Sequence, residues 1–539
     1  MSDDTATKED PKNLPNYRRP EACAVDPDLD LVHDLIGGTR VMWAKAATGS
    51  GGTPYIFKWS KEDGRVYAIR STCETVFQGL ERTLNAATGM LFAKPPAITW
   101  NASETAMAEH WANLDGAGTA GPVLIKRFSE SSLRDGLGAI LVDHPSPPTD
   151  PETEEPITIH GGNEKPLGLR PTWALYARRS IINWRTAIVN NQKALTMVVF
   201  AECAEVDDGD FGVATRERYR VLRLVLTPDG YQATWTLYEL RGDGDKREDF
   251  QIVASGAFKN KIGVIADFLP VSIAYTGRTD APLTATIPLL GVAWANLGHW
   301  QQSTDLRFYR MVAAFPQPKV KGELVADPVT GEKALNLGPL VGVQVEKDGD
   351  YTWTELSGTS MVQLENGIKE KLAQMGQLGL SFLVSDTRAA ETADAKRLDA
   401  TAQNSTLATA AQGIEDCVNG AFEHHAWYLG IAKAQAPVCT ISRDYDSTAM
   451  DSATMTAYAA LVAEGFPKRA VLEALQAGGR IPSDADLDAL ALEWDAGLQA
   501  QQDAKVQAAA DALKLQQGKQ AAGGAVAPGV AKPDPAIAA

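Results

Sequence analysis

Leu290, Trp294, Leu297, Gln301, Thr304, Phe308 and Met311 recur at intervals of three or four between Pro288 and the "FPQP" that starts at Phe315. That spacing places them on one stripe of a helix. Pro288 is tolerated in a first turn, whose amides have no partner, and the two prolines of "FPQP" stop the helix. The pattern predicts a helix over about residues 287–314, roughly 40 Å long at 1.5 Å per residue. A histidine between two tryptophans, then an acid, two arginines and a tyrosine, leave its task open: catalysis, core packing or a mechanical strut.

Its flanks narrow the choice. From Trp173 to Tyr275 the chain alternates apolar and polar residues in runs such as "YRVLRLVLT" and "YQATWTLYEL", punctuated by "DDGD", "PDG" and "GDGD". Hairpins at about ten-residue spacing predict an antiparallel β region. After the helix, residues 316–360 are short, turn-rich and β-prone. Met361, Leu364, Ile368, Leu372, Met375 and Leu378 then mark a second helical face, followed by the polar break "SFLVSDTR" and a long helix rich in Ala, Thr, Gln and Asn. That composition suits close packing of small side chains, or support from neighbouring subunits, better than a private core.

Nearer the N-terminus, residues 1–27 carry Asp, Lys and Pro without periodicity and are expected to form a flexible arm. Val66, Ile69, Cys73, Val76, Leu80, Leu84 and Ala87 predict one amphipathic helix of about seven turns, stopped by Pro95 and Pro96. A further helix, Val123 to Leu133, precedes a buried strand at Ala139 to Val142, and residues 144–170 read as a surface loop. Beyond residue 451 the chain is helical to about 515, and its Ala, Gly and Pro end is expected to be disordered.

At 539 residues the chain exceeds one ordinary core. Its net charge of −17 removes the broad basic surface that tight, salt-sensitive nucleic-acid binding requires, though it could repel DNA from a surface along which DNA slides. Five scattered cysteines, never as CxxC, fit idle thiols in a reducing cytoplasm. No apolar run approaches the roughly 18 residues that span a membrane.

Signatures of chemistry are weak throughout. "TGSGGTPY" lacks the GK[ST] of a phosphate loop, and "GTSMV" around Ser360 lacks the second glycine of a nucleophile elbow. His424 and His425 are adjacent and so about 100° apart on a helix, without HExxH or Cys/His spacing. The acids Asp207, Asp208 and Asp210, and Glu152, Glu154 and Glu155, sit in turn composition, where Asp bonds its own backbone. His299 is six positions from Asp305, well off its face, and reads as a packing residue. No catalytic residue, metal ligand or cofactor is assigned.

The order of the segments carries a resemblance. "YAIRSTCETVFQGLERTLNAATGMLFAKPP", "GLGAILVDHP", "RPTWALYARRSIINWR", "IPLLGVAWANLGHWQQSTDLRFYRMVAAFPQP" and "ETADAKRLDATAQNSTLATAAQGIED" together resemble the tailed-phage portal proteins, in the portal-like family long known only as a phage domain of unknown function. The resemblance covers most of Tyr67 to Gly430. It implies an α+β portal fold: a mixed α/β wing, two stem helices, a small β-containing clip, a long wing helix and a helical crown. Mapped by order, these are a flexible arm 1–27, wing 28–282, first stem helix 283–314, clip 315–360, second stem helix 361–378, tunnel loop 379–389, long wing helix 390–447, crown 448–515 and tail 516–539.

The resemblance further implies a ring, usually of twelve subunits, at one capsid vertex, through which double-stranded DNA is packaged and ejected without sequence specificity. Its partners would be the terminase motor, a head-completion adaptor, and capsid and scaffolding proteins. The virion is then its location, after synthesis in the host cytoplasm, with no membrane and no ATPase of its own. On this mapping Ser381, Phe382, Ser385 and Arg388 are the channel-facing residues of the tunnel loop. Lys319, Lys321, Glu323 and Asp327 are the clip residues facing terminase or adaptor, and Trp294, Leu297, Trp300 and Phe308 pack the stem. The alternatives are a head-associated nuclease or maturation protease, and a scaffold or minipore part of a defective prophage or gene-transfer particle.

Overall fold

The computed structural model describes residues 9–145, 157, 167–314, 317–323, 348–354, 359–379, 393–443, 460, 467–477, 481 and 485–522. The chain forms two compact units, Met1–Arg443 and Asp444–Ala539.

The first unit opens with helices α1 (Pro20–Cys23), α2 (Asp26–Gly37), α3 (Thr39–Ala44), α4 (Gly64–Ser71) and α5 (Gly79–Leu91). Next come a short strand β1 (Ala97–Thr99), helices α6 (Glu104–Trp111) and α7 (Gly121–Asp135), and strands β2 (Leu137–Asp143) and β3 (Thr172–Ala177). An antiparallel meander follows: β4 (Ile181–Val189), β5 (Gln192–Asp208), β6 (Gly212–Thr227), β7 (Gly230–Leu240) and β8 (Phe250–Ala257), paired in that order. Strand β9 (Val271–Tyr275) joins β2 and β3 in a separate antiparallel sheet with β2 at its centre. The predicted antiparallel region is thus present as two sheets, in a mixed helix-and-sheet chain.

Helix α8 (Leu290–Ala313), strands β10 (Gln317–Lys321) and β11 (Asp350–Thr354), and helices α9 (Thr359–Leu378) and α10 (Ala393–Tyr428) follow. Strand β10 pairs antiparallel with β11, and β12 (Val438–Thr440) pairs with β1. In the second unit α11 (Lys468–Ala477) packs on α12 (Leu487–Ala522), joined by the ion pairs Arg469–Asp488 at 3.1 Å and Lys468–Asp495. Helix α12 runs past residue 516, where the sequence predicts a disordered tail; residues 523–539 lie outside the described residues.

Three further expectations need correcting. The arm is ordered from residue 9: Leu14 is buried on the meander beside Ile182 and Tyr219, and Arg19 donates to Trp184 O at 2.8 Å. One apolar side chain and one guanidinium anchor a segment that composition alone leaves loose.

The seven-turn helix is two helices. Between them Glu74 O accepts indole N–H bonds from Trp43 (2.9 Å) and Trp300 (3.1 Å), and Val76 N donates to Thr39 Oγ1 at 3.1 Å. Side chains from distant elements therefore satisfy the backbone groups a continuous helix would use. Val66 and Ile69, assigned to its buried face, are exposed.

Helix α10 does have a private core over its second half. Leu407, Ala410, Ala411, Ile414, Val418, Ala421 and Phe422 are all buried, and α10 lies along β9 and β2. Gly413 makes that approach possible, since a Cβ there would fall 2.0 Å from Tyr275 O. The small residues thus bring a helix close to a sheet, and helix-on-helix packing is not needed to explain them.

Candidate functional site

Helix α8 is rooted in the main core of the first unit. Val292, Ala293, Ala295, Leu297 and Trp300 are buried there with Leu31, Leu35, Met42 and Leu80 from the N-terminal helices. Polar side chains fix its rotation. Asn296 Oδ1 accepts from Leu80 N at 3.0 Å and its Nδ2 donates to Phe77 O at 2.9 Å. It therefore caps α5 from another helix, where the local N-cap residue Gln78 makes no side-chain cap bond. One turn further on, Gln301 Nε2 donates to Tyr55 O at 2.7 Å.

Arg70 completes the anchorage. Its side chain, 2% exposed, forks onto Glu62 at 2.8 and 3.0 Å, reaches Asp305 on α8 at 2.9 Å, and lies 3.9 Å from the Trp59 ring centre. These hydrogen bonds hold the Glu62 carboxyl below its usual range, while burial raises that of Asp305. Phe308 packs edge-on against Trp59 at 6.1 Å. Beyond Leu306 no residue of α8 is buried, so the helix emerges from the body.

Helix α9 returns antiparallel beside it. Gly291 faces Leu378, Gly298 faces Lys371 and Gly367 faces Gln302, so partner numbers fall on one helix as they rise on the other. An added Cβ at Gly367 would meet the end of the Gln302 side chain, Oε1 at 2.5 Å, which a change of that rotamer relieves. Arg310 and Glu365 pair farther out. Met375 is buried at the inner end, and the outer end carries exposed Val362 and Met311. Both helices are thus fixed at one end and open at the other.

Of the expected packing residues, Leu297 and Trp300 are buried, and Phe308 is half-buried against Trp59. Trp294 departs from the expectation: it is 53% exposed, and Leu378 on the adjoining helix is 56% exposed. Helices α8 and α9 therefore each carry an exposed apolar side chain near the end rooted in the core. At the far end, Lys319 and Lys321 share one face of the β10–β11 hairpin, opposite Thr352 and Asp350, and are exposed, as is Glu323. Asp327 of the clip and Ser381, Phe382, Ser385 and Arg388 of the tunnel loop lie outside the described residues.

The span from α8 through α10 has counterparts elsewhere. Residues 288–429 match a family described as "Domain of unknown function (DUF4055)". No curated protein matches the chain. Among solved structures, the chain is similar to one described as "Virion of native gene transfer agent (GTA) particle", with 12% identity and a TM-score of 0.38 over 80% of this chain and 98% of that one. It is similar also to "Neck of empty GTA particle computed with C6 symmetry", at 12% identity and a TM-score of 0.35, over 81% and 99%. A third, "Neck of native GTA particle computed with C12 symmetry", has 13% identity and a TM-score of 0.32, over 80% and 96%.

The histidines are the other candidates for chemistry. His299 tilts against Phe77 at 5.4 Å and lines an open cleft with Glu74, Glu81 and Arg82. Its Nδ1 is 3.4 Å from Ser303 Oγ, a long contact, and no described carboxylate hydrogen-bonds its ring. Burial pushes its imidazole below the ordinary range, against the pull of Glu74.

His425 Nδ1 accepts the Trp173 indole N–H at 3.1 Å, which leaves Nε2–H to donate to His110 Nδ1 at 2.9 Å. Burial holds His425 well below its usual pKa, so a neutral ring joins β3, α6 and α10. His424 stacks on Phe268 at 5.1 Å. Among the described residues no group of three or more His, Cys, Asp or Glu is placed to hold a metal ion, and no helix is long and apolar enough to cross a membrane. The cysteines are free.

Two contributors have little or no signature in the sequence. Arg70 has no local signal, because its partners are Glu62 and a residue of α8. Asn296 stands as one polar position beside an apolar stripe, and an amide among buried positions is the available hint.

Proposed function

We propose that this chain is the subunit of a ring, of twelve copies, set at one vertex of a phage capsid, and that the ring is the channel for packaging and ejecting double-stranded DNA. The observation that carries the reading is the α8/α9 pair, rooted in the core at one end, emerging at the other, and exposing Trp294 and Leu378 near the rooted end. Exposed apolar side chains on both helices offer a contact for another protein. In a ring, each subunit would set these side chains against the next.

The order of elements agrees with the portal resemblance: a wing of two sheets and N-terminal helices, a first stem helix, a hairpin, a second stem helix, and a long helix returning to the wing. Lys319 and Lys321, with Glu323 and Asp327, would then meet the terminase motor and the adaptor that replaces it. Ser381, Phe382, Ser385 and Arg388 would touch DNA in the bore. The net charge of −17 suits a wall along which DNA slides, because each added phosphate contact would raise salt-sensitive affinity and slow transit.

Capsids assembled with and without the chain test the proposal. Particles containing it should show one labelled vertex and protect DNA from nuclease, while particles lacking it should be empty. DNA-filled particles in its absence would refute the reading.

A further inference from the structure

Strands β5 and β6 are longer than their neighbours. Strand β4 pairs with β5 only as far as Phe200, and β7 pairs with β6 only from Arg218, whereas β5 and β6 stay paired out to Asp208 and Gly212. Residues 201–217 are thus a two-stranded ribbon whose two edges pair with no further strand among the described residues, reaching roughly 26 Å at about 3.3 Å per residue. At its turn Phe211 is fully exposed, among exposed Asp207, Asp208 and Asp210. This large apolar ring, held at the tip of a ribbon, is covered by none of the described residues.

A complementary surface lies at the other end of the same sheet. In the ladder, Ala257 of β8 stands opposite Thr234, which stands opposite Arg223 of β6. Eleven residues separate Arg223 from Gly212 along β6, about 36 Å of strand. The loop after β8 is therefore out of reach of its own subunit's ribbon tip.

That loop is preformed. Lys259 bridges to Ile265, Asn260 Oδ1 accepts from Ile262 N at 3.2 Å and Val264 N at 2.9 Å, and Lys261 N donates to Tyr428 O at 2.9 Å. It presents Ile262 (76% exposed) and Val264 (51%) just after exposed Lys259 and Lys261. Beside it opens a depression of about 450 Å³ lined by His110, Arg170, Pro171, Lys261 and Leu429, with Glu109 as its acid. Arg170 Nη1 has no hydrogen-bond partner among the described residues.

We propose that the β5–β6 ribbon tip of one subunit docks on this basic-rimmed loop and depression of the next copy, with Phe211 as the apolar anchor and the tip aspartates facing Lys259, Lys261 and Arg170. The inference rests on the ring reading and adds the wing contact to it. Two different patches at opposite ends of one sheet make a head-to-tail contact, which generates a ring when the rotation closes. The apolar anchor supplies affinity and the charges set direction.

The test uses full-length protein with a photo-crosslinking benzoylphenylalanine in place of Phe211, assembled from isotopically light and heavy subunits. Crosslinked peptides should join light to heavy chains within residues 167–171 or 259–264. Phe211→Asp should lower the assembled fraction about tenfold or more at fixed concentration, while the monomer keeps its circular dichroism and melting temperature. Rings that form with crosslinks elsewhere, or that tolerate Phe211→Asp, overturn this contact and leave the ring reading standing. A wild-type chain that neither assembles nor crosslinks overturns both.

Discussion

Arg70 joins Glu62, Asp305 and Trp59 at a point where α4 meets α8. Removing a partner from such a buried network leaves an uncompensated charge, with losses typically of about 3–5 kcal/mol. Arg70→Met should therefore cost about that much in urea denaturation of the first unit. A loss under about 1 kcal/mol would mean that Glu62 and Asp305 find water instead. The histidines of α10 make a pH prediction. Burial pushes His424 down from 6.5 to about 4, with Lys433 adding to the shift. A base whose folded pKa lies below its unfolded one binds fewer protons when folded. Its stabilising effect is complete above about pH 6.5 and is lost as the pH falls toward about 4, on the order of 3 kcal/mol in all. His424→Gln should flatten the fall in urea midpoint between pH 6.5 and 4, with the remainder due to His425, His299 and carboxyls held low such as Glu62, and parallel profiles would contradict the assignment.

At the scale of the element, α8 has two kinds of tryptophan. Trp300 is fully buried and donates to Glu74 O; Trp294, less than two turns away, is mostly exposed. Trp300→Ala should cost about 3–5 kcal/mol in monomer stability. Trp294→Ala should leave the monomer within about 0.5 kcal/mol and lower its assembly, as read by sedimentation. A Trp294→Ala chain that assembles like wild type would remove Trp294 from any interface. This pair also shows what the sequence could convey. The three-to-four spacing put Trp294 and Trp300 on a helix, and the hairpin spacing located the meander, because both signals are local. Which tryptophan is buried depends on α5, α3 and α9, none of them nearby in sequence. The same holds for the break between α4 and α5, made by two indole donors from other elements, and for the private core of α10, which depends on where Gly413 meets β9. Of the expected site, only the stem pair and part of the hairpin fall on described residues.

For the whole molecule, the proposed channel requires that this acidic chain bind duplex weakly and without sequence preference. Its affinity should change little between about 50 and 200 mM salt, whereas a basic groove making six to ten phosphate contacts would lose about 10³–10⁵. A steep slope in a binding titration would argue for a gripping site and against a sliding wall. Assembly is the more basic issue, because the proposed channel exists only if subunits close into a ring. The most direct measurement is mass determination and electron microscopy of the purified full-length protein. The proposed ring should appear as closed rings with a central hole wide enough for duplex DNA and a mass that is a whole-number multiple of 57.7 kDa, twelve-fold for twelve copies. A folded monomer at all concentrations, or open filaments with no hole, would contradict it.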